Sequence, residues 1–308
     1  MDDEQCLICF DGGALCRKGC ACRGTGALVH VECMLRAVDA QLPHRGELAW
    51  YECQTCGQLF TGPLCVALAD AWLARVRPGT LNAERQRAMN YRALAIGSMG
   101  AYAEAERIYR EVLTVRLRTR GRTHKSTLIS MSKLASALGD QGKHEEAEPI
   151  YRAVCLARSV SLGAEHPLTL STESNLALSL STQGKYDESS RLFERVLETQ
   201  TRVLGSDHGH TLITMSNYAS MLSRRKDHQA AERIYRTALL AQRRVFGDAH
   251  PHTLIIEANL AFCLMHQERY DEATAIYERT IPEMRLILGA EHPDTRDFAR
   301  DAKKCRTM

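Results

Sequence analysis

His166-Pro167-Leu168-Thr169-Leu170 opens a unit whose second landmark is Gly184-Lys185-Tyr186-Asp187-Glu188, and both recur in phase along most of the chain. The His-x-x-Thr pair stands at His124, His166, His208, His250 and His292, each 42 residues from the next. Pro follows the histidine at Pro167, Pro251 and Pro293. A turn position falls at Gly100, Gly142 and Gly184, with Lys226 and Glu268 in the same register. An aromatic or His comes two residues later, at Tyr102, His144, Tyr186, His228 and Tyr270. Then come a small residue (Ala105, Ala147, Ser189, Ala231, Ala273) and a ring (Tyr109, Tyr151, Phe193, Tyr235, Tyr277). Independent columns at one fixed period are the signature of a stacked array.

Each unit reads as two helices. Leu170, Leu176 and Leu180 lie at helical spacing on the first, and Glu188, Leu192 and Val196 continue on the second. The small residue lets two helices approach, and the ring fills the gap between units. One unit cannot bury its own apolar face, so stability must come from stacking. The motifs His-Pro-x-Thr-Leu, Asn-Leu-Ala, Gly-Lys-Tyr-x-Glu and Leu-Gly resemble tetratricopeptide repeats, in the 42-residue form of the kinesin light chains. The resemblance covers residues 82–296, five repeats and the start of a sixth helix.

The recurring histidines invite a metal ladder. Helix entry is the preferred reading, because Pro at the first helical position loses no hydrogen bond. Solenoids of this kind present a concave groove to extended peptides. The resemblance implies that Asn175, Asn217 and Asn259 face that groove and hold a peptide main chain, since an amide both donates and accepts. The other reading is that they tie neighbouring helices together. Tyr91 and Lys133 occupy this column in the first two repeats, which confines any Asn ladder to the later units. Arg116, Arg158, Arg202 and Arg244 favour acidic peptides or, as the preferred reading, form a solvated face.

The N-terminal stretch reads Cys6-x2-Cys9, Cys20-x-Cys22, His30-x2-Cys33 and Cys53-x2-Cys56. Four close pairs of soft ligands suffice for two tetrahedral zinc ions. Cys16 competes weakly with Cys20 as a ligand, and His44 reads as a solvated loop residue. The single residue Ala21 between ligands three and four, the seven residues Arg23 to Val29 before His30, and the segment from Cys20 to Cys33 resemble the RING-CH finger of one group of ubiquitin ligases. A PHD finger shares the ligand order but spaces it differently. The resemblance implies a cross-brace, with Cys6, Cys9, His30 and Cys33 on one zinc and Cys20, Cys22, Cys53 and Cys56 on the other; spacing alone also allows sequential sites. Four-ligand sites with no open position are structural, and a module this short folds only with its metal.

The same resemblance implies a RING-type E3 ubiquitin transferase with no covalent nucleophile, which acts by positioning a loaded ubiquitin-conjugating enzyme (E2). Ile8 is the expected E2 contact, the alternative being that it packs inside the module. Phe60 matches the family's aromatic position, and Trp50 offers a second aromatic surface. Ala37 and Gly57 depart from the pattern, the first standing where Trp is common and the second where a cation often grips ubiquitin. The runner-up is a non-catalytic zinc-binding scaffold.

Composition sets the outer bounds. A chain of 308 residues suggests about two domains. A formal charge of +3 carries no nucleic-acid footprint. No apolar run reaches the roughly 18 residues a membrane span needs, and the nearest, Leu64 to Val76, is broken by Asp70 and Arg75. The acidic start has no apolar core behind it, so a secretory signal is not expected. Cysteines grouped as ligands point to a reducing compartment, cytoplasm or nucleus, rather than a disulfide scaffold. The expected fold is mostly α. A zinc module spans 1–62 and a connector 63–81, with an amphipathic helix from Leu64 to Arg77 broken by Pro78-Gly79. The repeat array spans 82–299. A polar tail follows at 300–308, and Phe298 to Lys303 is expected to form a solubilising cap helix.

Overall fold

The computed structural model describes Cys6, Ile8, Cys9, Cys16, Arg17 and residues 28–55, 59–77 and 82–307. The expected ligands Cys20, Cys22 and Cys56, with Gly57 and the Pro78-Gly79 break, lie outside the described residues. At the N-terminal end β1 (Cys16–Arg17) pairs antiparallel with β2 (Leu28–Val29). Helix α1 (Val31–Arg45), a 3-10 turn (Gly46–Trp50) and α2 (Gly62–Arg75) follow.

Five helix pairs come next. They are α3 (Ala83–Gly97) with α4 (Tyr102–Arg120), α5 (Lys125–Asp140) with α6 (His144–Leu162), α7 (Pro167–Thr182) with α8 (Tyr186–Leu204), α9 (Gly209–Arg224) with α10 (His228–Phe246), and α11 (Pro251–Met265) with α12 (Tyr270–Ile287). Helix α13 (Pro293–Cys305) begins a sixth unit. No described helix is long and apolar enough to cross a membrane.

The landmarks mark helix ends for physical reasons. Each of His124, His166, His208, His250 and His292 is the N-cap of a first helix. Its Nδ1 accepts the backbone N–H two residues on, at 3.1–3.2 Å, satisfying a donor the helix leaves orphaned. The motif threonine is buried, and the hydroxyls of Thr169, Thr211 and Thr253 each donate to a glycine carbonyl six residues earlier at 2.9 Å. Between the two helices of a unit the chain turns through positive φ at Gly100, Gly142 and Gly184, and also at Lys226 (68°) and Glu268 (62°). The small column and the ring column are both buried throughout, which is what lets successive pairs stack.

The N-terminal module is built into the array. One apolar core runs from Cys6, Cys33 and Trp50 through Leu64, Leu68 and Trp72 of α2 to Ala88, Tyr91 and Ala95 of α3. The Trp50 and Trp72 rings lie parallel with centroids 6.1 Å apart, and the Arg75 guanidinium sits 4.8 Å from the Trp50 ring centre. Arg75 pairs with Asp39, and Arg87 of α3 pairs with Glu47. Trp50 is therefore buried and offers no outer surface, because the connector helix covers it. The expected cap helix is longer than Phe298 to Lys303: α13 runs from Pro293 to Cys305, and Ala302 and Cys305 are buried in the core of the last repeats, so residues 300–305 belong to that cap and not to a polar tail.

The superhelix also meets itself. A Cβ added at Gly100, in the first repeat's turn, would lie 2.7 Å from Pro293 Cδ at the start of α13. A Cβ on Gly62 would lie 3.1 Å from the Ile287 carbonyl oxygen at the end of α12. First and last units touch at one end of the concave face.

Candidate functional site

Two places concentrate chemistry. The first is at the N-terminal module, where Cys6, Cys9, His30 and Cys33 place four ligand atoms within 4.8 Å of one another. Cys9 Sγ is 3.3 Å and Cys33 Sγ 3.8 Å from His30 Nδ1. The pair of ligands before β1 meets the pair at the start of α1, so ligands 24 positions apart converge, as His30 N–H donating to Cys6 Sγ at 3.4 Å also records. The Ile8 N–H donates to the same sulfur at 3.4 Å. Burial raises the Cys6 thiol, but these backbone donors outweigh it and bring it down to about 6. Burial pushes Cys33 up to about 11, helped by its sulfur neighbours. Three crowded thiols and one imidazole are the donor set of a tetrahedral divalent metal. Cys53 is buried in the same core. Ile8 is 44% exposed beside the cluster, so it does not pack inside the module. Phe60 is buried, and Ala37 is half-buried on α1.

The second place is the concave face. The first helices of successive repeats line a cavity of about 440 Å³. Asn175, Asn217 and Asn259 all line it, and their side chains make no hydrogen bond among the described residues. They do not tie helices together. Tyr91 leaves the column for the N-terminal core, where its hydroxyl meets Cys65 Sγ at 3.1 Å. Lys133 is half-buried, and burial with the nearby Arg158 charge lowers its ammonium pKa.

The arginines separate into two kinds. Arg202 and Arg244 are exposed and pair with Glu165 and Asp207, as a solvated face should. Arg116 and Arg158 are buried, against the expectation. Arg116 donates to the Ser126 carbonyl and Ser130 Oγ at 2.8 Å, and Arg158 to the Leu168 carbonyl at 2.9 Å and to Thr172 Oγ1. They lock a second helix to the next first helix. Their register differs from that of Arg202 and Arg244, and continues instead to Gln200 and Gln242.

Sequence reasoning passed over that continuation. Gln242 is 1% exposed, lines the cavity, and neither of its amide atoms has a hydrogen-bond partner. Position 256, where its Arg-column counterpart finds Thr172, is Ile256. Asp140 and Asp294 were missed too. Both line the cavity. Asp140 keeps solvent access, yet protein encloses it, and that enclosure together with the Asp294 charge pushes its carboxyl up to about 6. The 42-residue spacing from Arg116 to Gln242 was the available signal for the glutamine; nothing local announced the aspartates.

Models of the tetratricopeptide repeat match residues 84–155, 134–202, 168–243 and 258–294. No curated protein matches the chain. Among solved structures, the chain is similar to the Podosopora anserina kinesin light chain nearly identical TPR-like repeats, at 23% identity over 67% of this chain and 98% of that one, TM-score 0.49. It is similar in fold to a Rap protein complexed with competence and sporulation factor, at 11% identity over 89% and 88% of the two chains, TM-score 0.61. Bacillus thuringiensis PlcR, in complex with the peptide PapR7 and DNA, aligns at 11% identity over 89% and 99%, TM-score 0.56.

Proposed function

Because the chain belongs to the tetratricopeptide repeat family, we propose that it is a protein-interaction scaffold that holds an extended peptide in its concave groove. The observation that carries this reading is the set of unpaired amides of Asn175, Asn217 and Asn259 along one cavity. Each offers a donor and an acceptor at the repeat spacing, so together they grip a main chain without reading its side chains. PlcR, of like fold, is seen with the peptide PapR7, which supports a peptide as the occupant.

The N-terminal module is a zinc-stabilised extension of this scaffold. Cys6, Cys9, His30 and Cys33 hold one ion, and Cys20, Cys22, Cys53 and Cys56 the second. A bound zinc supplies folding free energy by holding short segments that bury too little apolar surface alone. Thiols kept as ligands fit a reducing compartment, cytoplasm or nucleus.

The test is a fluorescence-anisotropy screen of labelled randomised dodecapeptides. Saturable binding is expected, lost in the triple variant Asn175→Ala, Asn217→Ala, Asn259→Ala whose far-UV circular dichroism is unchanged. Equal binding by that variant refutes the reading.

A second reading is favoured by one observation, the exposure of Ile8 beside the cluster. An apolar side chain held out by a rigid metal loop is a docking point for an E2, which makes the chain a RING-type E3 ubiquitin ligase or its adaptor, concentrating substrate near the E2. Autoubiquitination against an E2 panel tests it. Chains abolished by both Ile8→Ala and Cys33→Ser establish it; no chains from protein carrying two zinc ions refute it.

A further inference from the structure

We propose that the closed end of the groove, where the first repeat meets the sixth, is a subsite for a cationic group, the ammonium or guanidinium of the peptide the groove holds. This rests on the reading that the groove takes a peptide.

The closure assembles the subsite. Contact of the Gly100 turn with His292 and Pro293 brings the start of α13 to helix ends about 150 to 190 positions earlier. Asp140 at the end of α5, Tyr102 at the start of α4 and Asp294 in the first turn of α13 then feel one another. The phenol of Tyr102 is raised first by burial, then by the charges of Asp294 and Asp140.

The two carboxylates lack a cation. Asp140 makes no hydrogen bond or ion pair among the described residues. Asp294 approaches the imidazole of His292 at 3.8 Å, and that Nδ1 is already the acceptor of the Asp294 N–H. Arg224 also lines the cavity but pairs with neither carboxylate. Structural carboxylates of the array look different: Glu106 is held by Arg110 and Lys143, and Glu148 by Arg152 and Lys185. Burial and the Asp294 charge raise the cost of ionising Asp140, and burial and the Asp297 charge raise that of Asp294 against the His292 imidazole, costs that a ligand cation removes.

An independent observation points to a ligand in the same cavity. Gln242 is buried with its donor and its acceptor both open. Native interiors satisfy such groups, and one in the wall of a cavity is left for a partner from outside. With Asn217 and Asn259 lining the same cavity, Gln242 serves the main chain while the carboxylates serve the side chain.

The experiment takes peptides recovered from the randomised dodecapeptide screen on the full zinc-loaded chain. Binders are expected to carry Lys or Arg at one register. Replacing that residue by norleucine should weaken binding about tenfold on the wild type and leave it unchanged on Asp140→Asn/Asp294→Asn, whose melting temperature is checked in parallel. Acetylating the peptide N-terminus separates a terminal ammonium from a side chain: loss on acetylation assigns the former. Peptides that depend on the three asparagines yet show no preference for a cation, by either arm, overturn the subsite and leave the groove standing. A preference that persists in the double Asn variant overturns it equally. Absence of any binder overturns both.

Discussion

Gly100→Ala tests the closure against a control the protein itself contains. Five turns occupy one register, and two of them already carry side chains at positive φ, Lys226 and Glu268. The left-handed backbone alone costs a non-glycine residue about 1–2 kcal/mol. At Gly184 an added Cβ meets nothing within 4 Å, so Gly184→Ala costs only that strain. At Gly100 the same methyl lands 2.7 Å from Pro293 Cδ. Ordinary contact requires the two to part by about 0.7 Å, and overpacking of this kind adds about 1–3 kcal/mol. Pro293 is ring-closed at the first turn of α13, so the shift must move the helix or open the closure. Urea denaturation should show Gly100→Ala less stable than Gly184→Ala by the overpacking amount. Small-angle scattering should show a larger radius of gyration for Gly100→Ala alone. Equal stability and equal radius for the two variants would refute the closure.

Three further outcomes follow from the same geometry. Arg158→Met removes two charge-assisted hydrogen bonds, to the Leu168 carbonyl and the Thr172 hydroxyl, which keep only their bond to each other, and should cost about 1–3 kcal/mol in urea, whereas Gln200→Met, which removes a buried amide with neither atom bonded, should stabilise. Burial alone would raise Glu106, but hydrogen bonds from Lys143, Arg110 and Gln141 outweigh it and hold the carboxyl at about 2. Its contribution is thus complete above the ordinary value of 4.5 and lost as pH falls from there towards 2. Screening of its half-exposed partners leaves about 1–2 kcal/mol, so Glu106→Gln should flatten the acid limb of stability by that much, read from urea midpoints at pH 3 and pH 7. The chain's two tryptophans, Trp50 and Trp72, both lie in the core shared by the metal cluster and α2, so zinc chelation should red-shift tryptophan fluorescence while most helical circular dichroism persists; an unshifted spectrum from zinc-free protein would remove the metal from that core.

The repeat was legible because each landmark does one local job that few residues can do. An imidazole caps, a glycine turns and a ring fills a fixed gap, and those requirements recur with the period. Convergence of Cys6, Cys9, His30 and Cys33 was legible only through the RING-CH resemblance, since the spacing of close pairs also allows sequential sites. What escaped reading depends on distant packing. Trp50 looked like surface because nothing near it in sequence says that α2 will cover it. Arg116 and Arg158 were grouped with Arg202 and Arg244, although a two-residue difference in register sends one set inward and the other to solvent. Residues 300–305 read as polar, but three positions on one face of α13, Asp301, Ala302 and Cys305, are buried. The acidic pair was invisible since Asp140 and Asp294 become neighbours only through superhelical closure, a property of summed rotations rather than of any unit.

That closure gives the N-terminal module a role beyond its own fold. Helix α2 packs on α3 through one core, and its first residue, Gly62, abuts the Ile287 carbonyl at the far end of the array. The module therefore braces both ends of the superhelical turn, next to the Gly100–Pro293 contact that sets Asp140 against Asp294. Under the proposed function, zinc at the Cys6 cluster and a peptide in the groove would both favour the closed arrangement, and linkage then requires each to strengthen the other by the same factor. Chelation should weaken a cationic groove peptide and raise amide exchange in α12 and α13, and the peptide should in turn slow zinc release. A groove affinity indifferent to the metal would mean that α3 to α13 hold the closure without the brace.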